Sequence, residues 1–136
     1  MHSDQALRIK TKAEATDASV TNVTYSVSKT LRMLFCMIAD SIVFQRNKGT
    51  GMRRFGVIID QSYPDTLGSP GNGVTISDIN FVGDTNSIEV GDDAVRVAVN
   101  CGDGTCQGTW DWSSLVVTGG EDSEISGFDG ISGATY

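Results

Sequence analysis

Short runs of β-branched and aromatic residues recur about every 20 residues along this chain, and turns rich in Gly, Asn and Asp separate them. The chain has 16 Gly and only 2 Pro, so we expect its turns to depend on Gly, Asn and Asp. This pattern predicts an all-β protein, built either as an antiparallel sandwich or barrel or as a right-handed parallel β-helix. Two-residue hairpin turns are scarce between successive runs, which favours the parallel β-helix.

The predicted elements fit within one domain of 136 residues. The run at 55–61 is continuously apolar and β-branched, which is typical of a strand buried on both faces. Residues 62–73 follow it as a long turn-rich loop, and residues 121–136, rich in Gly, Ser and Asp, are predicted to form a loose tail. Strands are predicted at 6–11, 20–26, 55–61, 74–82, 94–100 and 110–118.

Charge is distributed unevenly in a chain whose net charge is −7. Residues 1–54 carry nine Lys or Arg and four Asp or Glu, whereas residues 55–136 carry one and thirteen. An acidic chain argues against nonspecific binding to nucleic acid, so local cations have to meet any anionic ligand. Arg8 and Lys10 alternate with aliphatic residues, and on a strand both cations share one face. The pair therefore indicates either a site for a carboxylated ligand or simply a solvated face.

Three features concern the cellular compartment. The first five residues lack the apolar segment of a signal peptide, and the longest apolar stretch, 33–44, is too short and too polar to span a bilayer, so we expect no membrane partner. Cys101 and Cys106 bracket a tight polar turn that can close a disulfide in an oxidising compartment. Without a nearby His or third Cys they make a poor zinc site, and we expect no metal or other cofactor. Asn22 begins an Asn-Val-Thr sequon, which is usable only in a secreted protein.

An ordered set of short motifs gives the chain a specific resemblance. The set begins with Arg8-Ile9-Lys10 and ends with Val-Thr-Gly-Gly at 117–120. In this order the motifs resemble the C-terminal part of fungal polygalacturonases, the family 28 glycoside hydrolases that cut pectin. The intervening members are SVTNVTY at 19–25, FGVIIDQSY at 55–63, PGNGVTI at 70–76, CGDGTC at 101–106 and WDW at 110–112.

The resemblance implies a right-handed parallel β-helix, secretion to the extracellular space, and hydrolysis of α-1,4-galacturonan with inversion. It also implies that Arg8 and Lys10 bind galacturonate and that Tyr63 lines the cleft. Pectin or polygalacturonate is thus the expected partner, and it carries the carboxylates that Arg and Lys would recognise. Ser62 departs from the family, since many members have Asp beside this Tyr.

The catalytic carboxylates of the family are absent from the motifs that match. Inverting glycosidases need an acid and a base, and in this family they lie in Asn-Thr-Asp and Asp-Asp motifs, with a Gly-His-Gly further on. All three precede the Arg-Ile-Lys motif, so we assign no catalytic residue and expect the chain to be inactive alone. Asp92 and Asp93 look like the Asp-Asp motif, but they follow Arg-Ile-Lys in the chain, and we interpret them as a solvated acidic turn. Other carboxylates, Asp60 among them, are interpreted as turn or surface groups.

Residues 27–46 match nothing in the family. An amphipathic helix fits the apolar spacing in this stretch, which would make it a non-native helical insertion in the β-helix. Residues 27–45 are predicted to be a translated intron, because Val27-Ser28, Ala39-Asp40 and Phe44-Gln45 can be encoded by a 5′ splice site, a branch point and a 3′ acceptor. A genuine surface insertion is the alternative.

The sequence therefore predicts the last coils of a polygalacturonase-like β-helix over residues 1–136, a partial domain with part of a sugar-binding cleft. The alternative function is a non-catalytic β-solenoid that binds acidic polysaccharide. Because each coil of a solenoid relies on its neighbours, we also expect self-association through an exposed end.

Overall fold

The structure, a computed structural model, describes residues 3–25 and 48–136 and is an all-β protein built as a parallel β-helix, as the sequence predicts. All strand pairings in these residues are parallel. The predicted helical insertion at 27–46 and the predicted intron at 27–45 lie outside the described residues. No helix in the described part has the length and hydropathy to cross a membrane. The strands are β1 (Gln5–Lys12), β2 (Ala18–Val20), β3 (Thr24–Tyr25), β4 (Lys48–Met52), β5 (Phe55–Tyr63), β6 (Val74–Ser77), β7 (Asn80–Phe81), β8 (Asn86–Asn100), β9 (Cys106–Gln107), β10 (Trp110–Asp111), β11 (Leu115–Glu121), β12 (Glu124–Ser126) and β13 (Ile131–Ser132).

The strands stack in four rows, because the chain repeats its path in each coil. The first row contains β1, β5, the second half of β8, and β12. The second row contains β2, β6 and β9, and the third contains β3 on β7 and β10 on β13, with β10 against β7. The fourth row contains β4, the first half of β8, and β11. Every residue on an inner face is therefore stacked on residues of the neighbouring coils.

The main core fills the space between the rows. β5 is buried over residues 55–62, which confirms the prediction of a strand covered on both faces. Val57 and Ile59 belong to the main core, whereas Ile58 belongs to a second apolar cluster on the opposite side of the strand. We call that side of the first row its outer face. The outer cluster consists of Phe55, Ile58 and Ala98 with Leu67 and Val95 packed against them.

An aromatic stack closes the core along the third row. Trp110 and Trp112 are completely buried, and the ring of Phe81 meets Trp112 edge to face at 5.2 Å between centroids. Both indole N–H groups donate to backbone carbonyls, those of Gln107 and Ile79. The burial of the two tryptophans thus leaves no indole donor unsatisfied.

Several predicted boundaries are wrong. The predicted strand at 74–82 is divided at Asp78, whose φ of 57° ends β6. The predicted strand at 110–118 is divided into β10 and β11. Asp92 and Asp93, predicted to form a turn, lie in the middle of the continuous β8, where its register with the neighbouring strands shifts between Val90 and Val95.

The predicted loose tail over 121–136 does not match the structure either. β12 pairs with the end of β8, β13 pairs with β10, and Thr135 bridges to Val116. The preceding coil offers unpaired backbone groups, and these fix the tail despite its Gly- and Ser-rich composition. Gly127 illustrates the close stacking, since a Cβ at its position would collide with the carbonyl of Cys101.

Candidate functional site

Arg8 and Lys10 lie on the outer face of the first row. The aliphatic residues that alternate with them pack against the main core, as strand periodicity predicts. In register, Arg8 pairs with Ile58 and Lys10 pairs with Asp60 of β5. The sequence prediction that the two cations share one face is therefore confirmed.

Arg8 is exposed, and its guanidinium forms no hydrogen bond or ion pair with the residues that the structure describes. Lys12, two residues beyond Lys10 on the same strand, is also exposed and pairs in register with Tyr63. β1 thus presents two solvent-facing cations, Arg8 and Lys12.

Lys10 is in a different environment, since only 10% of its side chain is exposed. Its ammonium lies 3.1 Å from Oδ2 of Asp60. It also donates to the carbonyl of Asp65 at 3.0 Å and to the hydroxyl of Thr66 at 2.8 Å. An ammonium has three donors, and all three have partners here.

Asp60 is fully buried, which corrects its interpretation as a turn or surface group. Oδ1 accepts hydrogen bonds from the backbone N–H and hydroxyl of Ser62 and from the amide of Asn100. Oδ2 accepts from the backbone N–H of Leu67 at 3.1 Å, in addition to Lys10. Burial by itself would raise the pKa of Asp60, but the hydrogen bonds from Ser62, Leu67, Asn100 and Lys10 together lower it. The group is therefore a buried carboxylate with a full set of donors.

The loop at 62–73 folds over the outer face and is anchored at several points. Gly68 donates to the Ser62 hydroxyl at 3.0 Å, and its carbonyl accepts from Asn100. Further along, Gly71 and Gly73 pass so close to the backbone after β1 that a Cβ on either would collide with a carbonyl oxygen of Ala13 or Ala15. Glycine at both positions is therefore required by the close approach of the two backbones.

Tyr63 stands at the start of this loop, before a cis Tyr63–Pro64 peptide bond. It is 43% exposed, and its hydroxyl has no hydrogen-bond partner among the described residues. Its carbonyl accepts from the N–H of Ala13, which fixes its backbone beside the end of β1. The structure therefore places Tyr63 beside the end of β1 that carries Lys12.

A cavity of about 510 Å³ lies two strands away from β1, where the loop meets the ends of β8 and β12. Its lining combines apolar groups with the hydroxyls of Ser69 and Ser126 and the carboxylate of Glu124. Residues 67–70, 99–100 and 124–126 line it.

The remaining predicted positions lie elsewhere. Cys101 and Cys106 form a disulfide, with their Cα atoms 5.9 Å apart. Asn22 is exposed, with a left-handed φ of 54°, between β2 and β3. In the described part of the chain, no group of three His, Cys, Asp or Glu residues is arranged to hold a metal ion.

Asp92 and Asp93 are exposed and distant from Arg8. Arg8 pairs in register with Ile58, and Ile58 pairs with Ala98 of β8. Asp92 and Asp93 lie six and five residues before Ala98, which is roughly 15–20 Å along the strand. Among the described residues, the pKa values of two carboxyl groups, Asp60 and Asp111, are shifted, and both are lowered. A general acid of a glycosidase needs a raised pKa, so neither suits that role.

Two residues of the surface are missed by the sequence interpretation. Lys12 extends the alternation of Arg8 and Lys10 by one more step, and this periodicity was sufficient to indicate it. Asp60 gives no local signal, because its partners Lys10 and Asn100 are 50 and 40 residues away in the chain.

Comparisons with known proteins agree with the fold and the motifs. The sequence model of "Glycosyl hydrolases family 28" matches residues 1–130. Endopolygalacturonase A of Aspergillus niger is 35% identical over 123 residues, which are 89% of this chain and 27% of that protein. Endopolygalacturonase II of the same species is 36% identical over 124 residues, 90% of this chain and 28% of the relative. The solved structure of endopolygalacturonase I from Stereum purpureum, complexed with two galacturonates, superposes with a TM-score of 0.75 at 35% identity and covers 98% of this chain and 35% of that one. The chain therefore spans about a third or less of each relative's length.

Proposed function

Because the chain belongs to glycosyl hydrolases family 28, we propose that it forms the C-terminal coils of a polygalacturonase-like β-helix and carries part of a galacturonan-binding cleft. The proposed cleft is the outer face of the first row, with Arg8, Lys10 and Tyr63 as its residues and Lys12 beside them. The observation that carries the proposal is the exposed guanidinium of Arg8, which has no partner among the described residues, on a strand whose other face packs against the core and whose end lies beside the exposed Tyr63.

The chemistry of this surface suits the proposed ligand. Each galacturonate carries one carboxylate, and a guanidinium can hold it through two parallel hydrogen bonds. An exposed tyrosine offers an apolar ring face and a polar tip to a sugar ring. The relatives support this choice, since they are endopolygalacturonases and one was solved with galacturonate bound.

We expect the chain alone to bind without hydrolysing. Hydrolysis with inversion needs a protonated acid and a base on opposite sides of the bond. The proposed surface has Asp60 as its buried carboxylate, and the hydrogen bonds that lower the pKa of Asp60 keep it ionised. A non-catalytic solenoid that binds acidic polysaccharide would bind in the same way, so the two functions differ in the turnover of the longer protein and not in the binding by this chain.

The incomplete burial of the first coil supports the proposal that the chain is part of a longer protein. Six apolar residues of this coil are only partly buried against the main core, and in a solenoid a preceding coil would cover them. An extracellular location fits the disulfide and the exposed sequon at Asn22. The six residues are Ala6, Leu7, Ile9, Ala15, Val20 and Val23.

Binding of trigalacturonate, measured by isothermal titration calorimetry, tests the proposal. Arg8→Ala should weaken binding by about 1 kcal/mol, or roughly fivefold in Kd, because the contact is exposed to solvent. Lys48→Ala removes one exposed cation from β4 in the fourth row and is the matched control, for which we expect no change beyond a small long-range effect. Equal affinity for neutral xylan or cellulose oligomers, or an unchanged Kd for Arg8→Ala, would remove the reason for placing galacturonate here.

A further inference from the structure

We propose that the cavity between the loop at 62–73 and β12 is a subsite for an uncharged sugar unit, and that the carboxylate of Glu124 excludes a charged galacturonate from it. The proposal rests on the galacturonan-binding function above and extends that function to a second position along the first row. The ligand is defined by its chemistry, a pyranose ring with hydroxyl groups and no charge. Either a methyl-esterified galacturonate of the same polysaccharide or a separate neutral sugar can supply such a ring.

The register of the first row is the first observation. Arg8 pairs with Ile58, and Ile58 pairs with Ala98. Ala98, a member of the outer cluster, pairs in turn with Glu124 of β12. Arg8 and Glu124 therefore occupy the same position on the outer face, three strand spacings or roughly 14 Å apart. A ligand that lies across the strands meets a cation at the first coil and a carboxylate at the last.

The charge of the cavity is the second observation. Glu124 is exposed, and its carboxylate forms no ion pair with the residues that the structure describes. In the described part of the chain, no Lys or Arg lines the cavity. A galacturonate placed here would bring a second carboxylate to Glu124 without a cation to offset the repulsion. A ring without charge avoids this repulsion.

Asn100 is the third observation, because it presents a fixed acceptor to the cavity that it lines. The residue is 7% exposed, and its amide nitrogen donates to Oδ1 of Asp60 and to the carbonyl of Gly68, each at 3.0 Å. Its amide oxygen accepts no hydrogen bond from the described residues. This oxygen and the Glu124 carboxylate call for donors, which sugar hydroxyls supply and an ionised carboxylate does not.

The size and apolar lining of the cavity also suit a sugar ring. Its volume of about 510 Å³ lies within the range of about 300–1,000 Å³ that is typical of small-molecule sites. Leu67, Pro70 and Ile125 supply apolar surface, and Ile125 is 38% exposed. The C–H face of a pyranose can cover these side chains while its hydroxyls meet those of Ser69 and Ser126.

Removal of the Glu124 charge tests the exclusion of galacturonate. Isothermal titration calorimetry compares hexagalacturonate with half methyl-esterified hexagalacturonate, since both carry carboxylates for Arg8 but only the second carries uncharged units. Glu124→Gln should tighten the binding of hexagalacturonate by about two- to fivefold, the size of an exposed charge–charge interaction, and leave the Kd of the esterified hexamer unchanged. Glu89→Gln removes an exposed carboxylate of β8 in the fourth row and is the matched control, for which neither Kd should change.

A variant that fills the cavity tests the subsite itself. Ser126→Trp places an indole at an exposed position of β12, and it should weaken the binding of the esterified hexamer by about fivefold or more. The Kd of trigalacturonate, which has no uncharged unit, should remain within about twofold of the wild-type value. If Ser126→Trp does not fold, Ser69→Trp fills the same cavity from the loop.

Chemical-shift mapping identifies the source of the uncharged ring. Shifts of the Ser69, Asn100 and Ser126 amides with methyl β-galactoside alone would show that a neutral sugar is sufficient. Shifts of these amides only with the esterified hexamer would identify the methyl ester of the same polysaccharide as the ligand.

The absence of these shifts with both ligands would overturn the proposal. An unchanged Kd of hexagalacturonate in Glu124→Gln, or an equal gain for both hexamers, would overturn the role of Glu124. If the wild type binds no galacturonan oligomer, the proposed function fails, and the mapping with methyl β-galactoside still decides whether the cavity binds an uncharged sugar.

Discussion

Residues 27–45 should be removable without loss of the fold, because we propose that they are a translated intron. In the first coil, β3 and β4 carry Tyr25 and Lys48, which pair in register with Phe81 and Ser87 of the second coil. Residues 26–47, 22 in number, separate the first two positions, whereas residues 82–86, five in number, separate the second two. The third coil needs fewer still, since the Trp112 ring meets the Phe81 ring edge to face and only residues 113–115 separate Trp112 from Val116, the partner of Ser87.

Deleting 27–45 leaves three residues, Ser26, Arg46 and Asn47, for this connection, the same number as in the third coil. Shortening the connection from 22 to three residues reduces the entropic cost of loop closure by about 2 kcal/mol, from the logarithmic dependence on loop length. A gain of this size corresponds to a rise in Tm of roughly 5–10 °C for a domain of this size. Differential scanning calorimetry and urea denaturation of the full chain and the deletion variant measure it.

A second variant separates the effect of the connection's length from the effect of its sequence. Replacing 27–45 by 19 residues of Gly and Ser keeps the connection length and discards the sequence, and it should be as stable as the full chain. A deletion variant that does not fold, or a Gly/Ser variant destabilised by more than about 1 kcal/mol, would show that these residues pack on the β-helix and would refute the intron. Mature transcripts that all retain these codons would refute it as well.

Three further outcomes are expected. The purified chain should release no reducing sugar from polygalacturonate above background, and hydrolysis that disappears on Asp92→Asn or Asp93→Asn would contradict the interpretation of these exposed residues. Because the pKa of Asp60 is lowered, its ionised form stabilises the fold at pH values above its ordinary pKa of 3.8, and this stability is lost as the pH falls from there through the lowered value. Asp60→Asn should therefore reduce the free energy of unfolding in urea titrations at pH 7 and reduce it much less near pH 3. An equal loss at both pH values would be evidence against the hydrogen-bond network of Asp60. Each of the strands β1 to β4 pairs on one side only within the described part of the chain, which leaves one edge open to pairing with another chain. Sedimentation velocity should therefore detect self-association. A monomer with a cooperative unfolding transition at high temperature would argue against an exposed solenoid end.

The sequence predicted the elements whose signal is local. The FGVIIDQ run indicated a strand covered on both faces, and β5 is buried by the core on one side and by the outer cluster with Leu67 on the other. The alternation at Arg8 and Lys10 placed both on one face of β1. The order of the motifs indicated the family, and the family indicated the parallel β-helix.

What the sequence could not indicate depends on contacts between coils. The tail looked loose because its composition is that of a loop, yet the N–H of Cys101 donates to the carbonyl of Ser126 and the N–H of Trp110 to that of Gly130. Asp60 looked like a surface carboxylate because the Lys and Asn that bury it come from other coils. The hydrogen bonds of Lys10 are concealed for the same reason, since its partners Asp65 and Thr66 lie in a loop about 55 residues further along the chain.

Chemical-shift mapping of the isotope-labelled chain with trigalacturonate tests the proposed binding surface most directly. The account predicts that the largest backbone shifts lie at Arg8, at Lys12 and at Tyr63 with its loop, and that Arg8→Ala abolishes or weakens them. Shifts concentrated at the cavity lined by residues 67–70, 99–100 and 124–126, or around Asp92 and Asp93, would contradict the placement of the ligand. An absence of shifts at saturating trigalacturonate would contradict the galacturonan-binding function itself.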